Sequence, residues 1–310
     1  MNSRVSLFMR SALFDIGGEV RVTYEEDIVE EESGRSRNVD PFLFAPESEI
    51  WRINRERCGL IYGPTAAILQ IAHPRIAQGV YDHSNFRVDI LGRLRRTLED
   101  TNRIVFGRVS EAEDVKTRLA AVHSKVRGTI PPGIKGPHAY SASEQDLLFW
   151  VLATLINAAV SGYEFIYGEL PLARKEAFYR DMCRFGTYFS VDESLPPKGW
   201  IAFESYYDGM VESDLLGSHA ICRELARAVV YPEDSAAARL LGWGIDFLPI
   251  ETLPPKIRKR LGLPSTISTR LRMRLSRGLL PKLFPILPYR LRFYPEYLSA
   301  IREIKKSRLA

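Results

Sequence analysis

The side chains with the widest chemical reach in this 310-residue chain are a histidine and a run of basic and hydroxyl residues upstream of it. Arg93, Arg96 and Thr97 stand at i, i+3 and i+4 of Arg93-Leu94-Arg95-Arg96-Thr97, so a helix places them on one face. That face borders an apolar stripe marked by Leu94 and Leu98. His123 follows Val122 beside the apolar seam of a second helical segment. A short loop between the segments makes them antiparallel neighbours. Cations, a hydroxyl and an imidazole then face one another across an apolar gap. A haem site is built from such parts: an imidazole nitrogen for the iron, cations for the propionates and a dry cavity for the macrocycle. A plainer reading fits the same residues. A histidine at a helix seam is often a hydrogen-bonded core residue, and arginines on a helix face are by default solvated charges. Spacing alone leaves both readings open.

Other chemistries find little support. None of the five histidines forms HExxH or another metal-site spacing. A GxSxG elbow, a P-loop and a Rossmann glycine fingerprint are all absent, which argues against common hydrolase, nucleotide-dependent and nicotinamide-dependent classes. Cys58, Cys183 and Cys222 are far apart and odd in number, so neither a disulfide framework nor a CxxC pair is expected. Met1 to Phe14 includes Arg4 and Arg10 and lacks the clean apolar run of an export signal. A reducing, cytoplasmic setting is the simplest expectation.

Placing these residues falls to a helical chain. Hydrophobic residues make up 45% and charged residues 26%, an ordinary globular balance. Glu25, Glu26, Asp27, Glu30, Glu31 and Glu32 crowd an acidic stretch, so residues 1–46 are expected to be a flexible lead-in. Helical spacing dominates residues 47–250. Pro64 suits the first turn of a helix running to Ala72, and His73-Pro74 separates it from the next. Asp89 is a plausible N-cap for a helix through Leu91, Leu94, Leu98 and Ile104. The next helix is predicted from Glu111 to Arg127, stopped by Gly128. Residues 129–142 read as a loop, and Ser143 with Asp146 as a capping box for a long apolar helix to about Tyr167. Leu147–Tyr163 is uncharged and at the short end for a membrane span, so a buried core helix is expected. Further helices are predicted near 172–188, 197–212, 218–230 and 234–247. Without sustained period-two alternation the expected class is all-α, one multi-helix globular domain. Residues 251–310 form a basic, Pro-containing segment, expected to be irregular or made of short helices.

The order of several motifs resembles one family. His73-Pro74, Gly79-Val80, His83-Ser84 and Phe86, then Arg93 to Thr97, Phe106-Gly107, and His123 with Val126 and Gly128 follow the signature order of the MpaB and latex-clearing (rubber oxygenase) catalytic domain. Tyr140 and the long apolar helix after it also fit, and the resemblance covers roughly residues 47–250. It implies a b-type haem held between helices, with His123 as axial ligand of the iron. It also implies that Arg93 and Thr97 lie at the haem and matter for activity, with Arg93 and Arg96 among the cofactor-binding residues. The latex-clearing branch has a lysine just before that threonine, able to take the other axial position. Arg96 stands there in this chain, and a guanidinium cannot replace that ligand. No residue here is matched to the family's catalytic carboxylate. His73 and His83 read first as residues at helix ends and second as pocket-lining groups.

The resemblance implies an oxidoreductase that uses dioxygen on an apolar, prenyl-like or lipid small molecule, with chemistry that includes cleavage of carbon–carbon double bonds. A different class stays in view: a non-catalytic helical protein that binds a membrane surface or lipid. A third reading is a non-haem metal site on His73, His83 and His123. Charge bears on the second. From Lys256 onward there are 15 Lys/Arg and 2 Asp/Glu, or +13, against +5 for the whole chain. Basic residues alternate there with bulky apolar ones, which suits an anionic membrane surface better than nucleic acid, and no nucleic-acid partner is expected.

Overall fold

The structure is a computed structural model that describes residues 41–84, 90–131, 138–232 and 245–309. Helix α1 (Glu49–Asn54) leads through a 3-10 turn (Arg57–Ile61) into α2 (Gly63–Ala72) and α3 (Pro74–His83). Proline stands in the first turn of both α2 and α3, where its missing N–H would have had no intrahelical partner. Next come α4 (Ile90–Phe106) and α5 (Val109–His123), then a hairpin of β1 (Arg127–Thr129) and β2 (Ala139–Ser141). The strands are antiparallel, with Gly128 opposite Tyr140. Helices α6 (Gln145–Tyr167), α7 (Leu172–Thr187), α8 (Trp200–Glu212) and α9 (Ala220–Val230) follow. The chain ends with α10 (Phe247–Thr252), α11 (Pro255–Arg260), α12 (Ile267–Leu283), α13 (Tyr289–Arg292) and α14 (Pro295–Leu309). The all-α expectation holds, and the described residues make up one unit.

Helix α6 is the axis of the core. Its length and composition would suffice to cross a membrane, yet Leu148, Trp150, Leu152, Ile156 and Val160 are buried among other helices, as the core-helix reading expects. Trp150 donates from Nε1 to the Leu69 carbonyl at 3.1 Å and stacks on Tyr207. Along the same helix, Thr154 Oγ1 accepts from Gln70 Nε2 at 2.9 Å, and Asn157 Nδ2 donates to Tyr207 Oη at 3.0 Å, so these polar side chains of an apolar helix are paired. Gly162 lets the 3-10 turn close in: a Cβ there would lie 2.8 Å from the Cys58 carbonyl oxygen. Trp51, Trp150, Phe178, Phe185 and Phe203 are fully buried. Each stabilises the fold by about 1.5–3 kcal/mol through burial alone.

Several expectations are corrected. Helix α5 stops at His123 and not at Arg127. Strand pairing captures the backbone beyond it: Val126 accepts from Ala142 N at 2.9 Å and Arg127 pairs with Ser141. Gly128 is therefore a strand residue and not a helix stop. It is needed for contact, because a Cβ there would come within 2.6 Å of Tyr140 Oη. The capping box at Ser143 does not form. Glu144 is the N-cap, and its carboxylate turns back to accept from Ser141 N at 2.6 Å and to pair with Arg75. The basic C-terminal segment contains long helices, α12 and α14. Thr266 and Thr269 form a reciprocal capping box that starts α12, and Pro281 falls so near its end that only two further residues follow it in the helix. The expected N-cap Asp89 and most of the predicted 234–247 helix lie outside the described residues.

Candidate functional site

Arg93, Arg96 and Thr97 lie on α4, and His123 is the last residue of α5. Gly107 and Arg108 make the turn between the two helices, which pack against each other, and Arg118 on α5 pairs with Asp100 on α4. The packing of α4 on α5 puts Arg93 near enough to His123 for its charge to act on the imidazole. Burial, and next the positive charge of Arg93, hold the half-buried His123 imidazole below its ordinary pKa. The ring is therefore neutral near pH 7 and keeps a nitrogen lone pair.

Local hydrogen bonds fix the arginine. Arg93 Nη1 donates to Ser84 Oγ at 3.0 Å, linking α4 to the residue that ends α3. Thr97 Oγ1 donates to the Arg93 carbonyl one turn earlier, at 3.0 Å. With its proton used there, the hydroxyl presents lone pairs and acts as an acceptor toward other groups. Arg96 is exposed on the same helix, and Arg95 pairs with Glu99 on its outer side. Val122, beside His123, and Tyr81, on α3, are among the exposed bulky apolar residues.

A supporting layer lies beneath α3. Tyr140 Oη donates to Asp82 Oδ2 at 2.6 Å, and Gln78 Nε2 donates to Asp82 Oδ1 at 2.9 Å. His83 Nε2 donates to the Arg127 carbonyl at 3.1 Å and packs edge-on against Tyr140. Through that bond His83 ties the end of α3 to the hairpin, which is a structural role. Asp82 is not among the motifs read from the sequence, and Ser84 enters there only as part of the His83-Ser84 motif with no role, though both flank His83 at a helix end, where short polar residues commonly make local bonds.

His73 behaves differently from the expected cap. It sits between α2 and α3 but makes no side-chain capping bond. It is buried, and Nδ1 has no hydrogen-bond partner among the described residues. Burial, reinforced by the charge of Arg75, pushes its pKa down to about 4. A folded-state pKa below the unfolded value means the unfolded chain binds the proton first. Stability should thus be full above about pH 6.5 and fall as pH drops toward 4, by up to ~3 kcal/mol. Urea midpoints measured across that range should fall in the native chain and flatten in His73→Leu. Equal slopes in the two proteins would remove His73 as the cause.

His138 is exposed, and His219 Nδ1 accepts from Ile221 N at the start of α9. Among the described residues no three His, Cys, Asp or Glu side chains are grouped to hold a metal ion, which counts against the reading on His73, His83 and His123.

The residues present suit a b-type haem in their donor chemistry: a neutral imidazole, an adjacent guanidinium for a propionate, and uncovered apolar surface at Val122. Comparison with known proteins bears on this corner. A family profile described as "ER-bound oxygenase mpaB/B'/Rubber oxygenase, catalytic domain" matches residues 50–281. Two curated relatives are similar over 144 residues at 31% identity: Uncharacterized protein Mb2261 of Mycobacterium bovis and Uncharacterized protein Rv2237 of Mycobacterium tuberculosis. Each alignment covers 45% of this chain and 55% of the relative, so the chain spans about half the length of the curated relatives it matches. No solved structure matches.

Proposed function

Because the chain belongs to the mpaB/rubber oxygenase catalytic-domain family, we propose that it is a haem-dependent oxygenase, an oxidoreductase that acts on an apolar, prenyl-like or lipid small molecule with dioxygen. The observation that carries this reading is a neutral His123 at the end of α5, near enough to Arg93 on the neighbouring α4 to feel its charge. His123 would hold the haem iron through the lone pair of its neutral imidazole. Arg93 and Arg96 would pair with the propionates, and their charge suits carboxylates. When bound, haem b would supply the iron chemistry by which dioxygen oxidises the substrate. Arg93, held by Ser84, can donate hydrogen bonds to dioxygen or substrate, and Thr97 can accept one. Arg96 offers no lone pair, so it would leave the iron a position open to dioxygen. Val122 and Tyr81 give an apolar substrate surface to lie against.

The test is an absorption spectrum of the purified protein, oxidised, reduced, and reduced with carbon monoxide. A Soret band that shifts with carbon monoxide supports the reading. Protein that stays colourless after titration with hemin sinks it and favours the cofactor-free, lipid-binding alternative. Arg93→Ala and Thr97→Ala should each lower turnover by roughly 10–100-fold while haem content falls far less, since each removes about 1.5–3 kcal/mol of charge-assisted bonding or less. Full activity in both variants would remove them from the site.

A further inference from the structure

Outside this site, the outer face of α12 is built for contact. Ile267, Leu271, Leu275, Leu279 and Leu283 recur every fourth residue, and Ile286, Tyr289 and Leu291 extend the run. All eight are between 51% and 79% exposed. They are half of the sixteen exposed bulky apolar residues among those described, gathered into 25 positions. Single exposed leucines need no explanation, but a contiguous row marks an interaction surface. At 1.5 Å per residue the α12 ladder alone is about 24 Å long. The orientation of the helix is fixed from beneath. Thr269 and Met273 are buried, and Arg272 pairs with Asp246 at 2.8 Å and lies over the Phe247 ring. Turning the leucines inward would expose that layer.

Charge identifies the occupant. Residues 267–292 hold seven Lys/Arg and no Asp or Glu. Arg272 and Arg292 point inward to carboxylates. Arg270, Arg274, Arg277, Lys282 and Arg290 are not buried, and among the described residues none pairs with a carboxylate. A helix advances 100° per residue, so Arg270, Arg274 and Arg277 flank the leucine ladder along one edge. A second copy of this chain fits poorly, since a two-fold contact would set these cations against themselves. Nucleic acid would meet the charge and leave the leucines exposed to water. A bilayer with anionic headgroups satisfies both: leucines enter the headgroup–acyl boundary while the arginines meet phosphate and carboxylate groups.

We propose that the outward face of α12, continued by Ile286, Tyr289 and Leu291, docks the protein peripherally on an anionic lipid bilayer. The helix lies in the plane of the surface, and its buried face stays on the protein. The proposal does not depend on haem, and its readout is partitioning and not turnover.

The experiment is co-sedimentation of the full chain with phosphatidylcholine vesicles, and with vesicles in which part of the lipid is phosphatidylserine. Binding is expected to the second kind and should weaken as salt rises. Neutralising Arg270, Arg274 and Arg277 together to Gln should weaken binding on the order of 100-fold at low salt, about fivefold per charge. Leu271→Ser with Leu275→Ser should weaken it about tenfold or more by removing inserted apolar surface. All these positions face outward, so circular dichroism should not change. Any of three results overturns the proposal. The first is native protein that stays in the supernatant with anionic vesicles at low salt. The second is native-like binding by both variants. The third is a dimer in sedimentation velocity that the leucine variant dissociates, with no vesicle binding by either, which would make a second copy the occupant.

Discussion

His123→Ala is expected to give a folded, helical protein that no longer retains haem. The axial bond is the strongest single anchor of a b-type haem, which has no covalent tether to the chain. The fold does not depend on this ring. His123 is half-buried at the last residue of α5, whereas the residues that seat α5 in the core, Ala112 and Val115, lie near its other end. Truncation there should cost stability no more than an ordinary partly exposed site, roughly 1 kcal/mol. The measurement is the haem-to-protein ratio after purification and after hemin titration, beside a far-UV circular dichroism spectrum. His83→Ala is the informative control. His83 Nε2 is committed to the Arg127 carbonyl, so that variant should keep its haem. Normal haem content in His123→Ala would refute the assignment, and loss in His83→Ala alone would move the ligand to α3. A ferrous native protein should also take up carbon monoxide without displacing an amine, because Arg96 supplies none. A low-spin iron with an amine ligand would contradict the open position.

The helices are legible in the sequence because their signals are local. Pro64 and Pro74 mark helix starts, and the apolar run after Asp146 can only be a long buried helix or a span. The pairing of α4 with α5 is legible too, since a short connection leaves two adjacent helices little choice but to pack antiparallel. Where the expectations fail, partners distant in sequence decide. Gly128 looks like a helix stop until Tyr140 is opposite it. Glu144 and not Ser143 is the cap, and its carboxylate pairs with Arg75, far upstream. His73 has the position of a cap, and packing instead buries it with an unpaired nitrogen. The length of α12 has a different cause. Its capping threonines are local signals, and of the prolines that follow, Pro281 acts only in the final turn, while Pro285 and Pro288 lie beyond the helix. At the site, the chemical types of Arg93, Thr97 and His123 are visible in the sequence. The bonds that aim them, through Ser84 and the Arg93 carbonyl, require the fold.

Glu56→Ala should be the most destabilising single change on the surface between the core and the C-terminal helices. Glu56 is buried just before the 3-10 turn, and both its oxygens are engaged. Arg292 donates from Nε at 2.8 Å and from Nη2 at 2.7 Å, a two-pronged pair, and Tyr167 Oη donates at 3.0 Å. Burial and the nearby Glu56 carboxylate push the Tyr167 hydroxyl pKa up, while the bonds to Glu56 push that of Arg292 up. Removing the carboxylate leaves a largely enclosed guanidinium and a hydroxyl without their acceptor. Breaking one side of such a buried pair costs about 3–5 kcal/mol, a large part of a typical ~5–15 kcal/mol total. Replacing both partners, as in Glu56→Leu with Arg292→Met, should restore most of that loss, because an apolar pair of similar volume avoids desolvating either charge. Urea unfolding of the native chain, both single variants and the double variant completes the cycle. The clamp also seats α13, at whose end Arg292 stands, and so holds Ile286, Tyr289 and Leu291 at the far end of the outward apolar row. Glu56→Ala should therefore weaken vesicle binding even at temperatures where the core stays folded. A loss below about 1 kcal/mol in Glu56→Ala would place the pair among ordinary surface bridges and remove it as the anchor of the C-terminal helices.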